Sequence, residues 1–123
     1  MKVIVCGSPR FKYAAFVRRE LDRLHEELEF TDLVQSGEPG VAKFARDWAA
    51  TRPEIRRFVR RALYEKHGAA PRARRNAKMM DWKPDLVIAF PGNAVTADLV
   101  RQATAAGVPV RRPSWSEDPM RRD

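Results

Sequence analysis

The stretch from Asp85 to Arg101 constrains the fold more than any other part of the chain. Leu86 to Phe90 is an unbroken apolar run of strand length, which predicts a strand buried on both faces. Pro91-Gly92-Asn93 stops it, and an amphipathic helix follows over 96–106 with Gly107 as its stop signal. The start of such a helix carries unpaired backbone N–H groups at the positive end of the helix dipole. A buried strand, a glycine turn and a helix start together make a site for an anion. Gly92, Asn93 and Thr96 are the candidate residues there, with Thr96 adding a hydroxyl donor. The expected ligand is a phosphorylated or carboxylated small molecule.

The rest of the chain repeats the alternation of strand and helix. Val3 to Cys6 predicts a first strand and Gly7-Ser8-Pro9-Arg10 its turn. A helix over Tyr13 to Leu28 places Phe16, Val17, Leu21, Leu24 and Leu28 on one stripe, with a mixed-charge outer face and His25 as a surface residue. A short strand around Leu33-Val34 ends in Ser36-Gly37-Glu38-Pro39-Gly40, and Val41 to Ala50 is a second helix with Trp48 as a core anchor. Residues 54–59 read two ways. Ile55, Phe58, Val59, Ala62 and Leu63 have helical spacing, yet Ile55 to Val59 also suits a strand in a βα repeat. Gly68 to Pro71 is a break, 73–82 a helix, and Val108-Pro109-Val110 an edge strand, because proline cannot donate to a ladder. This order predicts an α/β fold, a mostly parallel sheet with helices on both faces. Residues 1–112 form one domain and 113–123 a loosely held C-terminal tail.

Charge is concentrated. The 123 residues carry a net charge of +8, and the segment Arg52–Lys78, with ten basic residues against two acids, accounts for all of it. A basic segment in a neutral body suits an anionic partner at one place, or a solvated face kept for solubility. The single cysteine, Cys6, allows no internal disulfide and reads as a buried small hydrophobe in a cytoplasmic protein. No apolar run reaches membrane-spanning length, so no membrane partner is expected. His25 and His67 are not arranged with cysteine or carboxylate in a metal-ligand spacing, no Ser/His/Asp set is visible, and no cofactor is expected.

In a parallel sheet the carboxyl ends of the strands share an edge, and ligands bind there. The turns at that edge supply Gly7, Ser8 and Arg10, then Ser36, Gly37 and Gly40, then Gly92, Asn93 and Thr96. Glycine plus hydroxyl or amide in three turns makes a phosphate or ribose site, although each turn alone could be no more than a turn.

The opening Val3 to Phe11, the Ser36-Gly37…Gly40 segment, Arg75-Asn76…Met80 and Leu86 to Gly92 together resemble the small stand-alone members of the SLOG superfamily. These are the YspA/cpYpsA-related proteins, with Lonely Guy phosphoribohydrolases and DprA as relatives. The resemblance implies a Rossmann-like fold, a nucleotide-related ligand and a strand around Arg57-Phe58. It implies one ligand loop at Gly7, Ser8 and Arg10 and another at Ser36 and Gly37. Arg75 and Asn76 stand in the family's Arg-Asn motif, and Gly92, Asn93 and Thr96 in its Pro-Gly-Gly-x-Gly-Thr loop. The departures bear on activity. Asn93 and Val95 replace two glycines of that loop, and Leu99 stands where the phosphoribohydrolases carry a catalytic glutamate; Asp98 is one residue early, about 100° around a helix.

The leading expectation is therefore a non-enzymatic protein that senses or sequesters a nucleotide or a nucleotide derivative, with Arg10 and Arg75 neutralising phosphate. An N-glycosidic hydrolase of nucleoside phosphates, with Glu38 or Asp98 as the acid, is one alternative. Nucleic-acid binding through Arg52–Lys78, where Phe58 and Tyr64 are the aromatic residues, is the other. A homo-oligomer is the expected assembly.

Overall fold

The structure is a computed structural model that describes residues 1–62 and 71–113. The local pattern translates into β1 (Lys2–Cys6), α1 (Ala14–Leu28), β2 (Asp32–Gln35), α2 (Val41–Ala50), β3 (Arg56–Val59), α3 (Pro71–Asp81), β4 (Leu86–Ala89), α4 (Ala94–Ala105) and β5 (Val110–Arg111). The five strands form one parallel sheet in the order β3-β2-β1-β4-β5. The α/β expectation holds, as one Rossmann-like domain. The tail beyond Pro113, and the break at Gly68 to Ala70, lie outside the described residues.

Alternation along β1 builds both halves of the core. Val3 and Val5 pack with Phe16, Val17, Leu21 and Leu24 of α1 and with Val41, Ala45 and Trp48 of α2. Ile4 faces the other way, onto Met79 of α3 and Leu99 and Ala103 of α4. Successive strand residues point to opposite faces, so a strand covered on both sides is apolar throughout. That is why β4 is buried at every position and reads in the sequence as an unbroken run.

Residues 56–59 are strand. Ile55, Phe58 and Val59 have the spacing of one helix face, but the open edge of β2 offers backbone partners. Arg56 N–H donates to Thr31 O (2.9 Å) and Arg60 N–H to Gln35 O (2.8 Å), with Val34 paired to Phe58 in register. As a strand the segment buries Ile55 just before it and leaves Phe58 and Val59 exposed.

His25 is not a plain surface residue. Its Nδ1 accepts the Phe30 N–H (2.9 Å), so Nε2 carries the proton toward Glu54 Oε2 (3.0 Å). Its ring lies against Phe30 and Trp48. The histidine thus closes the end of α1, and its hydrogen bond holds the Glu54 carboxyl below the usual range. Trp48 is buried as expected and donates Nε1–H to Asp22 Oδ1 (2.8 Å).

Candidate functional site

The chain runs from β1 outward to β3 and then crosses back to β4 on the other side of β1. The strand order therefore reverses between β1 and β4, and the loops leaving these two strands splay apart into a crevice. Backbone hydrogen bonds hold the loops in place. Ser8 N–H donates to Pro91 O (2.9 Å), and Val41 N–H, at the start of α2, donates to Ser8 O (3.3 Å). The loops after β1, β2 and β4 are one assembly.

Gly7, Ser36, Arg75, Asn93 and Thr96, all candidates from the sequence, line a cavity of about 30 Å3 at this edge, together with Cys6, Glu38 and Val95. That volume holds about one water. A larger cavity of about 370 Å3 lies on the other side of the Gly92-Asn93 turn, lined by Phe90, Pro91, Gly92, Asn93, Thr96 and Arg112. Asn93 and Thr96 border both cavities.

Glu38 is paired within the inner cavity's wall. Its Oε1 accepts from Arg75 Nη1 (3.0 Å) and Arg72 Nε (3.4 Å). An internal carboxylate already sits on the cation expected to take a ligand's anion. Arg75 itself is only 6% exposed, and its Nε donates to Asn76 Oδ1 (3.2 Å).

Several candidates fall elsewhere. Asn76 is 1% exposed and does not line the inner cavity; its amide donates to Val95 O (3.0 Å) and Asp98 Oδ2 (2.9 Å), tying α3 to α4. Asn76→Ala is expected to lower stability by about 1–3 kcal/mol, since it strips donors from two partly buried acceptors; a thermal melt measures it. Asp98 is occupied by that amide and by Gln102 Nε2 (2.9 Å), and Leu99 is buried core. Arg10 is exposed and lines neither cavity. The Ser8 hydroxyl accepts Arg10 N–H (3.0 Å) and the Ser36 hydroxyl accepts Glu38 N–H (3.3 Å), each keeping its own proton to donate. Gly37 packs under Arg61, whose Nη1 donates to Gly37 O (3.2 Å), so Arg61 belongs partly to this loop rather than to the outer surface alone.

The helix start at Asn93 is already capped. α4 begins at Ala94, two residues before the expected start, and Asn93 Oδ1 accepts Val95 N–H (3.1 Å) and Thr96 N–H (3.4 Å). Those are two of the groups that an anion would otherwise take. Gly92 is needed for close approach. A Cβ there would lie 2.1 Å from Thr96 Oγ1, so Gly92→Val would disrupt the first turn of α4 along with any ligand contact.

Sequence reasoning passed over Arg112 and undervalued Cys6. Arg112 follows β5, and the rule that sites lie at strand ends, applied to the edge strand, would have found it. Cys6 lines the inner cavity, but burial pushes its thiol up from 9.0 to about 12, partly countered by Arg75 and Arg112. A thiol of that kind is almost wholly protonated near neutrality. Cys6 in the folded protein is expected to react with a disulfide reagent at pH 8 at least a hundredfold slower than in the unfolded chain. Because the folded thiol keeps its proton where the unfolded one loses it, Cys6 makes stability fall as pH rises from 9.0 toward about 12. Melts over that range, with Cys6→Ser as reference, measure this contribution.

Among the described residues no group of His, Cys, Asp and Glu could hold a metal ion, and no helix is long and apolar enough to cross a membrane. A model of the family described as YspA, cpYpsA-related SLOG matches residues 1–62. The match takes in β1 to β3 with the first two loops of the crevice and ends before Arg75, Asn76 and the Gly92 turn. No curated protein and no solved structure matches the chain.

Proposed function

Because the chain belongs to the YspA, cpYpsA-related SLOG family, we propose that it binds a nucleotide or nucleotide derivative in the crevice between the ends of β1 and β4. The observation that carries this reading is the convergence of Gly7, Ser36, Arg75, Asn93 and Thr96, from separate loops and helices, on one cavity. The outer cavity of about 370 Å3 is within the range of small-molecule sites. Guanidinium groups flank the crevice, Arg75 on the inner side and Arg112 on the outer, and a guanidinium can take phosphate oxygens in pairs. The role is sensing or sequestering, since the position of the phosphoribohydrolase glutamate is the buried Leu99.

Ligand that binds only the folded state raises the melting temperature, by the equivalent of about 2.7 kcal/mol at a hundred times Kd. A panel of nucleoside mono-, di- and triphosphates, ADP-ribose and cyclic nucleotides is the test, with mass spectrometry of any compound that co-purifies. A flat melting temperature across the panel at millimolar ligand would sink the proposal.

Glu38 favours a second reading. A carboxylate inside the crevice could activate water for hydrolysis of an N-glycosidic bond, giving free base and ribose phosphate. Chromatography of nucleoside monophosphates incubated with the protein and with Glu38→Gln decides between the readings. Release of base that vanishes in Glu38→Gln supports the hydrolase; no release by the parent protein rejects it.

A further inference from the structure

The +8 segment divides into a paired part and an unpaired part. Arg52 is spent on Asp22, Arg56 on Asp32, and Arg72 and Arg75 on Glu38. Arg60, Arg74 and Lys78 have no ion-pair partner among the described residues. These three line one groove of about 400 Å3 beside α3, together with Arg61 and with Arg75, which also lines the inner cavity; Asp81 is the one acid in its wall among the described residues. A second hollow of about 190 Å3 shares Arg60 with it and is walled by Val34, Phe58, Val59, Met79 and Trp82. Phe58 and Val59 on the edge strand β3 are 42% and 46% exposed, and the Phe58 ring lies 5.9 Å from that of Trp82.

We propose that this groove is a second binding surface, adjoining the crevice at Arg75, for single-stranded nucleic acid. Its phosphates would lie on Arg60, Arg74 and Lys78, and a base would stack on the open ring of Phe58. Unpaired cations in a row release condensed counterions when they meet a polyanion. An exposed aromatic ring beside them accepts any base by its π-face. Pairing of β3 with β3 of a second copy is disfavoured by the same charges, because Arg56, Arg57, Arg60 and Arg61 would face their like across the new ladder.

The test uses the full chain and fluorescein-labelled oligo-U and oligo-dT of about twenty nucleotides, with fluorescence anisotropy read from about 50 to 200 mM salt. The parent protein binds, and its affinity falls steeply with salt. The triple change Arg60→Ala, Arg74→Ala, Lys78→Ala weakens binding at least tenfold and flattens the log–log salt slope by about 2, at about 0.7 per lost single-strand phosphate contact. Phe58→Ala weakens binding with the slope unchanged. A control with the same loss of charge on the other face of the sheet, Arg18→Ala, Lys43→Ala, Arg46→Ala, retains both affinity and slope. All these side chains are on the surface, and circular dichroism checks that each variant is folded. The proposal fails if neither oligonucleotide binds at the lowest salt, or if the two triple variants weaken binding equally. It also fails if vesicles containing phosphatidylserine, and not the oligonucleotides, depend on Arg60, Arg74 and Lys78. A dimer in sedimentation that Phe58→Ala breaks into monomers would assign the face to a second copy instead.

Discussion

Replacing Arg75 by alanine is expected to weaken nucleotide binding by about 1.5–3 kcal/mol, roughly ten- to hundredfold, while replacing Glu38 by alanine strengthens it. The opposite signs follow from one contact. Arg75 Nη1 lies 3.0 Å from Glu38 Oε1 at the wall of the small inner cavity. A ligand's phosphate must take the place of that carboxylate to reach the guanidinium. Arg75→Ala removes the charged hydrogen bond the ligand would make. Glu38→Ala removes the internal competitor from the wall of the inner cavity. The gain is smaller, roughly threefold, because Glu38 is partly solvated and a solvated ion pair is worth about 1 kcal/mol or less. Isothermal titration calorimetry with the best ligand of the nucleotide panel reads both. Loss of affinity in both variants would mean that Glu38 touches the ligand itself, and no loss in Arg75→Ala would move the anion to Arg112. The protein without ligand should remain folded in Glu38→Ala, since the residue sits on a loop at the rim of the sheet.

The second large effect concerns folding. Gly40→Ala is expected to cost about 3 kcal/mol or more, a fall in Tm on the order of 10 °C for a chain of this size. Gly107→Ala should cost only about 1 kcal/mol. Both glycines have positive φ, +74° and +76°, but Gly40 with ψ −133° lies outside the left-handed helical region, in a conformation that only glycine adopts readily. They differ in surroundings as well. A Cβ on Gly40 would lie 2.3 Å from Ser8 O and 2.6 Å from the Pro9 carbonyl carbon, which are backbone atoms that cannot swing away. A Cβ on Gly107 would meet nothing within 4 Å. Gly40 is where the loop after β1 crosses the start of α2, so Gly40→Ala pushes two walls of the crevice apart. Thermal melts of the two variants side by side measure the combined cost of conformation and clash at Gly40 against an open site. Equal losses would show that the loops can yield.

Much of the fold was open to reading along the chain. β1, α1, α2 and β4 show it best, since each has one period of apolar residues and a glycine, proline or polar stop at its end. Residues 56–59 were ambiguous because Ile55, Phe58 and Val59 satisfy two periods at once, and the free edge of β2, far away in sequence, chose between them. The start of α4 moved because Asn93 is a better cap than the turn around Thr96 suggested. The Arg-rich segment looked uniform as a list of charges. Its partners, Asp22, Asp32 and Glu38, come from three other elements, and they leave Arg60, Arg61, Arg74 and Lys78 without an ion pair along one groove among the described residues.

Local pattern, then, determined the order of strands and helices, and with it the edge where the loops after β1, β2 and β4 had to gather. Chain periodicity is enough for that, because each element is chosen by contacts a few residues long and parallel strands put their carboxyl ends together. What each polar group does at that edge was decided only by tertiary structure. Asn76 is next to Arg75 in sequence, yet it turns to Val95 and Asp98 while Arg75 reaches Glu38. Those partners lie on different elements, and the distances between them depend on how α3 packs against α4 and the sheet, which no local spacing records.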